Sequence, residues 1–318
     1  MQPPSENLTL VKEFVLVGFS GLRKEVCLPL FYLFLAMYLL TVVENGALVL
    51  VVATERSLHT PMYFFLVHLS CLDVWYTSLT VPKMLAVLIS PCSSRSISYQ
   101  ACLAQLYLFT FLGATECFLL ATMAYDRYVA ICMPLHYQAV VNRATCVWLA
   151  SSSWLAGFLT PALPIYLMAK LTFCGPNTIN HFFCDASPLL ALSCSDSSFK
   201  EMVDFLVSLA VLVASSLVIG ASYICIVSTV MRIHSAEGRQ RAFSTCAAHL
   251  AVVSIYYGTL FFMYVRTKAA STTQLNKVVS IFYALVTPML NPLIYSLRNT
   301  EVKGALQRTF CRGRWRQG

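Results

Sequence analysis

Residues Tyr99–Cys132 read YQACLAQLYLFTFLGATECFLLATMAYDRYVAIC. Only Glu116, Asp126 and Arg127 carry charge in this run. A helix on a soluble surface would show a polar stripe every turn, whereas this one is apolar on nearly all sides. It is also longer than the about 20 residues that cross a hydrocarbon core. Backbone groups in lipid must be satisfied within the segment, so the run reads as a transmembrane helix. On helical geometry Cys102 and Arg127 lie about 37 Å apart, enough to put them at opposite membrane surfaces. Glu116 and Arg127 are about three turns apart, on one face, separated by about 16 Å.

Working outward, six more apolar runs flank it: Val26–Ala53, Pro61–Ile89, Ala144–Leu167, Met202–Ile233, Ala242–Tyr264 and Leu275–Leu297. They are continuous rather than alternating with period two, which argues against a β-barrel. Pro82, Pro161, Pro164, Pro288 and Pro292 lie in or near the ends of spans, where a membrane bundle tolerates them as kinks. The reading is an all-α membrane protein, a seven-transmembrane helix bundle. Residues 1–25 form an outer N-terminus, 26–298 the bundle and 299–318 an inner tail. Composition agrees: the 318 residues are 58% hydrophobic and 11% charged, against about 25% charged in soluble domains. A net charge of +8 is scattered over loops and tail, which speaks for lipid headgroups and not for nucleic acid.

No cleavable signal is visible in residues 1–14, so the first span is its own insertion signal. The tail carries Arg298, Lys303, Arg308, Arg312, Arg314 and Arg316 against Glu301, which places it on the cytoplasmic side. With an odd number of spans the N-terminus is then extracellular, and the Asn7-Leu8-Thr9 glycosylation sequon agrees. Residues 300–310 read as a short amphipathic C-terminal helix. Val302, Leu306 and Phe310 share one face, with Lys303 and Arg308 near phospholipid headgroups. Cys311 follows and is either palmitoylated or an ordinary thiol.

Of the thirteen cysteines, Cys71, Cys117, Cys132, Cys146, Cys225 and Cys246 fall in or beside apolar runs and read as small packing residues. Cys102, Cys174, Cys184 and Cys194 cluster at the start of the third run and in the long loop after the fourth, which suggests extracellular disulfides. Ionisable groups inside a membrane are costly and usually functional. Asp73 and Glu116 lie near mid-depth, and Asn45 and Asn291 reach the same level. Two carboxylates and two amides could hold a sodium ion, share a proton, or glue helices together by hydrogen bonds alone. Glu44, beside Asn45, is given no role.

Five motifs stand in order at helix ends: His59-Thr60-Pro61-Met62-Tyr63-Phe64-Phe65-Leu66; Met123-Ala124-Tyr125-Asp126-Arg127-Tyr128-Val129-Ala130-Ile131-Cys132; Ser222-Tyr223; Arg241-Ala242-Phe243-Ser244-Thr245-Cys246-Ala247-Ala248-His249-Leu250; and Pro288-Met289-Leu290-Asn291-Pro292-Leu293-Ile294-Tyr295-Ser296-Leu297-Arg298-Asn299. The whole chain resembles the vertebrate olfactory (odorant) receptors, a branch of the rhodopsin-like G-protein-coupled receptors. The short third outer loop, about residues 266–274, resembles their tetrapod-type class. Glu44, Arg241 and Ala248 depart from the family's usual Gly, Lys and Ser.

The resemblance implies an odorant receptor of the plasma membrane, coupled to a stimulatory G protein that raises cyclic AMP. It implies that Arg127 pairs with Asp126 at rest, beside Tyr128, and turns toward the G protein on activation, with Tyr223 and Tyr295 as its active-state neighbours. Arg239, Arg241 and His249 then lie on the sixth helix, whose inner end moves, and Pro292 after Asn291 lets the seventh bend. It implies the bonds Cys102–Cys184 and Cys174–Cys194, although sequence alone also permits Cys102 with Cys194. His181 near Cys184 and Asp185 is a weak metal-site alternative.

The ligand is expected in the outer half of the bundle. Phe109, Thr110, Gly113, Ala114 and Cys117 follow helical spacing on the third helix. Val207, Ser208, Val211 and Leu212 on the fifth, Tyr257, Leu260, Phe261 and Tyr264 on the sixth, and Ile281, Ala284 and Leu285 on the seventh complete the set. This mostly apolar lining suits a small, volatile, weakly polar molecule, with Tyr264 or Ser208 as its hydrogen-bond donor and Asp204 and Lys268 at the rim.

Other classes fit less well. A transporter would show internal repeats. A retinal-binding receptor needs a lysine where Ala284 and Leu285 stand, and Lys277 is too near the outer end. The zinc, nucleophile-elbow and phosphate-loop motifs of enzymes are absent. A seven-helix receptor for a non-odorant small ligand is the remaining alternative.

Overall fold

The computed structural model describes residues 11–18, 23–89, 95–174, 176–267, 273–298, 302, 304, 305 and 308, without the side chains of 24, 241, 244, 245, 262–267, 273–276 and 296–298. Its helices are α1 Lys24–Thr54, α2 Pro61–Ile89, α3 Tyr99–Cys132, α4 Tyr137–Val140, α5 Arg143–Leu159, α6 Ala162–Lys170, α7 Ala186–Leu190, α8 Ser198–Met231, α9 Ala236–Thr267, α10 Thr273–Ile281 and α11 Thr287–Arg298. Phe282–Val286 is a π-helical turn joining α10 to α11. Six helical segments are long and apolar enough to cross a membrane, and α9 carries a shorter apolar stretch, Cys246–Phe261. Together they form the seven-helix bundle expected from the sequence.

The second and third spans begin and end where the apolar runs do. Ser98 marks the start of α3 by accepting a hydrogen bond from Ala101 N, and Asn142 caps α5 through Thr145 N. The fourth run, expected as one helix, is two. Pro161 has no N–H to donate and its ring crowds the preceding turn, so the helix breaks between Leu159 and Ala162. At that break Tyr107 Oη donates to Phe158 O at 2.7 Å. In the seventh span Pro288 and Pro292 interrupt the same ladder, and Thr287 Oγ1 donates back to Phe282 O at 3.3 Å across the wide turn.

The third span is the central mast. It packs on α2, α5, α8 and α9. It meets α5 closely at Gly157, where an added Cβ would stand 2.0 Å from Thr115 Oγ1. Only glycine permits that contact. Cys117, Cys146 and Cys246 are buried as expected, but Cys71 and Cys225 are exposed on the bundle's outer surface. Their helices turn those positions away from α3.

One end of the bundle bears a small sheet absent from the sequence reading, which treated residues 1–25 as a simple terminus. Its strands are β1 Glu13–Leu16, β2 Ser96–Ser98 and β3 Thr178–Ile179, in the order β2-β1-β3. β1 runs antiparallel to β2, with Val15 opposite Ser96, and parallel to β3, with Leu16 opposite Ile179. Phe14 and Leu16 alternate inward and are fully buried, in a cluster with Cys102, Phe173, Ile179 and Cys184. At the other end Val302, Gly304, Ala305 and Arg308 are helical, with Val302 and Ala305 buried against the core. Arg308 reaches Glu55 at 3.5 Å rather than standing free for lipid. Asn7, Lys268, Lys303, Leu306, Phe310 and Cys311 lie outside the described residues, as do the side chains of Arg241 and Tyr264.

Candidate ligand pocket and intracellular switch

The expected ligand face of α3 is made of small side chains. A Cβ at Gly113 would stand in ordinary van der Waals contact with Tyr256 Oη, at 3.8 Å. Tyr256 donates to Gly113 O at 2.8 Å and accepts from Cys117 Sγ at 3.8 Å, tying α9 to α3. Beside it the Tyr257 hydroxyl is buried without a hydrogen bond, with Cys117 and Ser215 as neighbours. Val211, Leu212, Tyr257 and Leu260 pack against the buried cluster to which Cys117 belongs. Val207 and Ser208 are half-buried one turn higher on α8, and Thr110 spends its hydroxyl on Leu106 O at 2.9 Å.

A second apolar group lies above. Phe109 stacks among Tyr76, Phe183 and Tyr283, with ring centroids 4.8, 5.0 and 5.6 Å away. Phe111, Ile281, Ala284 and Leu285 belong to the same cluster. Phe261 does not belong to either group: it is 69% exposed. Val252 and Tyr256 fix the inward face of α9, and Phe261 lies over 100° around the helix from Tyr256. Sequence reasoning passed over Tyr256, Tyr76, Phe183 and Tyr283. The Tyr256-Tyr257 pair was a signal that one of two adjacent tyrosines must face inward.

The structure joins Cys102 to Cys184 and Cys174 to Cys194. The first bond draws the long loop onto α3, where Cys184 N also donates to Gln105 Oε1 at 3.0 Å. His181 bonds Ser280 Oγ at 3.1 Å and packs on Phe182 and Phe183. Burial holds its imidazole below the ordinary range, so it is neutral. Asp204 pairs with Lys200 on its own helix.

Below the pocket, Asn291 Nδ2 donates to both oxygens of Asp73, at 3.2 and 3.0 Å. Asn45 Nδ2 donates to Thr41 O at 2.9 Å and to Pro288 O at 3.3 Å. The second bond has a covalent cause. Pro292 has no N–H to give the carbonyl four residues back, so Pro288 O is left for Asn45. Glu116 Oε1 and Asn45 Oδ1 are buried without partners.

At the far end Asp126 holds Arg127 in a buried ion pair. Tyr137, on α4, donates to Asp126 Oδ1 at 2.7 Å. Burial and that carboxylate push the Tyr137 hydroxyl above its ordinary range. Tyr223 directs its hydroxyl to the sixth span. Its hydroxyl bonds His249 Nδ1 at 2.7 Å, the rings stack, and His249 Nε2 bonds Leu120 O at 3.1 Å. The Tyr295 hydroxyl is buried and unbonded. Tyr128 packs on Tyr125, and Arg239 lies in the first turns of α9.

Residues 34–313 match the family model described as olfactory receptor. Among curated proteins, the chain is 66% identical to olfactory receptor 6Q1 of Homo sapiens over 99% of both chains. It is 50% identical to olfactory receptor 226 of Rattus norvegicus, over 94% of this chain and 92% of the relative. It is also 50% identical to olfactory receptor 6B1 of Homo sapiens, over 96% of this chain and 97% of the relative. On this evidence and on its membrane-spanning bundle, the chain belongs to the olfactory receptor family, multi-pass receptors of the plasma membrane rather than a family of enzymes.

Proposed function

We propose that this receptor binds a small, mostly apolar, volatile molecule between α3, α8 and α9 and drives a stimulatory G protein to raise cyclic AMP. The disulfide-bonded end faces outward, with Asn7 as its glycosylation site, and the Arg127 end faces the cytoplasm. The observation that carries this reading is the small-residue face Gly113–Ala114–Cys117, set against the buried, unbonded Tyr257 hydroxyl. An unsatisfied donor in an apolar wall is the arrangement that fixes the orientation of a weakly polar ligand. Tyr257 thus joins Tyr264 and Ser208, the donors expected from the sequence, as a hydrogen-bond donor to the ligand.

In the Pro134–His136 turn after α3, Leu135 is 95% exposed, an apolar knob and a natural contact for the G protein. The unpaired buried oxygens of Glu116 and Asn45, together with Asp73, fit a sodium ion or a shared proton, which would offset one of the two buried carboxylate charges.

The test is cyclic AMP in cells expressing the chain with the olfactory G protein, screened against a broad odorant panel. A ligand-dependent rise, abolished by Arg127→Ala with surface expression intact, is expected. Tyr257→Phe should lower potency for carbonyl and hydroxyl ligands about tenfold and leave hydrocarbons unchanged. Equal potency for every ligand in Tyr257→Phe removes the assigned role.

A further inference from the structure

Above the ligand face the N-terminal segment does more than cross the bundle. β1 is the central strand of the sheet, so it is hydrogen-bonded on both edges, to β2 and to β3. Beyond it, Gly18 lies against the long loop so closely that an added Cβ would stand 2.6 Å from Phe182 N and 2.7 Å from His181 C. Gly18 O accepts from Lys277 Nζ at 2.8 Å, and the same ammonium donates to Asn180 Oδ1 at 2.7 Å. Lys277 is 6% exposed, and both of these acceptors are neutral. One cation on the seventh span therefore holds both the N-terminal segment and the long loop. The loop in turn sets Phe183 on Phe109, directly over the ligand face.

We propose that residues 12–18 form a strap that closes the mouth of the bundle, with Lys277 as its latch, and that release of this latch opens the route to the ligand face. This rests on the outward orientation and pocket given above. Two features mark the strap as separable from the bundle. Its strands are two to four residues long, and short isolated strands are marginal alone. Among the described residues its hydrogen bond to the seventh span comes from one side chain, Lys277, whereas disulfides hold the loop beneath it. Lys277 is a positioning residue that acts through Gly18 and Asn180.

The native Cys117 thiol, buried on the ligand face, reports access without any reporter substitution. Intact cells expressing the full chain are treated with a small cationic methanethiosulfonate that does not cross membranes, and modification of Cys117 is followed by peptide mass spectrometry. Slow modification is expected in the unaltered chain. Lys277→Met and Gly18→Ala, two independent ways to loosen the strap, should each speed it about tenfold. Val15 and Ser96 face each other at a site where the strands do not exchange hydrogen bonds, so Val15→Cys with Ser96→Cys forms a lock. The locked receptor should react more slowly than either single variant. Equal Cys117 rates in the unaltered, loosened and locked chains overturn the proposal.

Asp196→Cys, in the exposed loop, is the orientation control. If it is not modified on intact cells, the outward assignment fails. The same comparison in detergent-solubilised receptor then decides the strap on its own.

Discussion

The two ends of the third span are held by different kinds of bond. At the Cys102 end the ties are covalent and multiple: a disulfide, a backbone hydrogen bond from Cys184 to Gln105, and a layer of fully buried aromatic side chains. At the Arg127 end they are polar and exchangeable. Asp126 is shared between Arg127 and Tyr137, Tyr223 is occupied by His249, and Tyr295 has a hydroxyl with no partner. A region with one good arrangement stays rigid. A region whose groups have more possible partners than bonds can switch between arrangements at small cost. The third span is therefore held rigidly at its Cys102 end and by exchangeable bonds at its Arg127 end.

That contrast can be broken by experiment. The largest effect belongs to the stiff end: Cys102→Ser should cost about 2–5 kcal/mol of stability. Surface expression measured by flow cytometry should collapse, and normal expression would show that this end is not held covalently in the cell. At the exchangeable end, Asp126→Asn leaves Arg127 buried with a weaker partner, a perturbation of about 3 kcal/mol. Basal cyclic AMP should rise several-fold while the receptor still reaches the surface. Tyr137→Phe removes one hydrogen bond to a carboxylate, about 1.5 kcal/mol. Its basal rise should be smaller than that of Asp126→Asn, and a larger one would make Tyr137 the principal lock.

The smallest effect sharpens the picture of the stiff end. His181 is held neutral by burial, with Lys277 lowering and Asp185 opposing the shift, and Ser280 as its hydrogen-bond partner. A histidine exposed by opening would titrate near about 6.5. As pH falls through that value the open form takes a proton first, so acid favours opening. One pH unit lower, the cost to the closed form is at most about 1.4 kcal/mol. Acid also protonates the Cys117 thiol and slows its modification in every variant. The rate in the unaltered chain divided by the rate in His181→Gln should therefore rise by less than tenfold between pH 7.5 and pH 5.5, and a ratio that stays constant removes the role of His181.

The spans were readable because lipid leaves the backbone one solution and charge is so costly there. Pro61 and Ser98 mark helix starts that the hydropathy pattern also marks. The features that escaped depend on partners far along the chain. β1 reads only as a short apolar alternation until Ser96 and Thr178 are brought beside it. The Tyr137 bond to Asp126 crosses a loop whose path no local pattern gives. On α3, helical spacing grouped Gly113, Ala114 and Cys117, and the structure turns Gly113 and Cys117 toward Tyr256 of α9. On α9 adjacent tyrosines left the rotation ambiguous by about 100°, which admitted Phe261 and omitted Tyr256. The break at Pro161 was signalled by the residue itself, but membrane helices often absorb a proline without breaking.

The Tyr256 bond to Gly113 has a mechanical consequence. α9 runs on to Ala236, about 30 Å of rigid rod past that bond. Over that length His249 ties it to Tyr223 and to Leu120 O. Treated as a lever with its fulcrum at Tyr256, the rod converts small changes at the pocket into large ones at its tip. A tilt of about 10° at the fulcrum carries the far end through about 5 Å. A ligand touching Tyr257, next to the fulcrum, therefore needs to move its contact by well under 1 Å to shift the surface beside Arg127 by several times that distance.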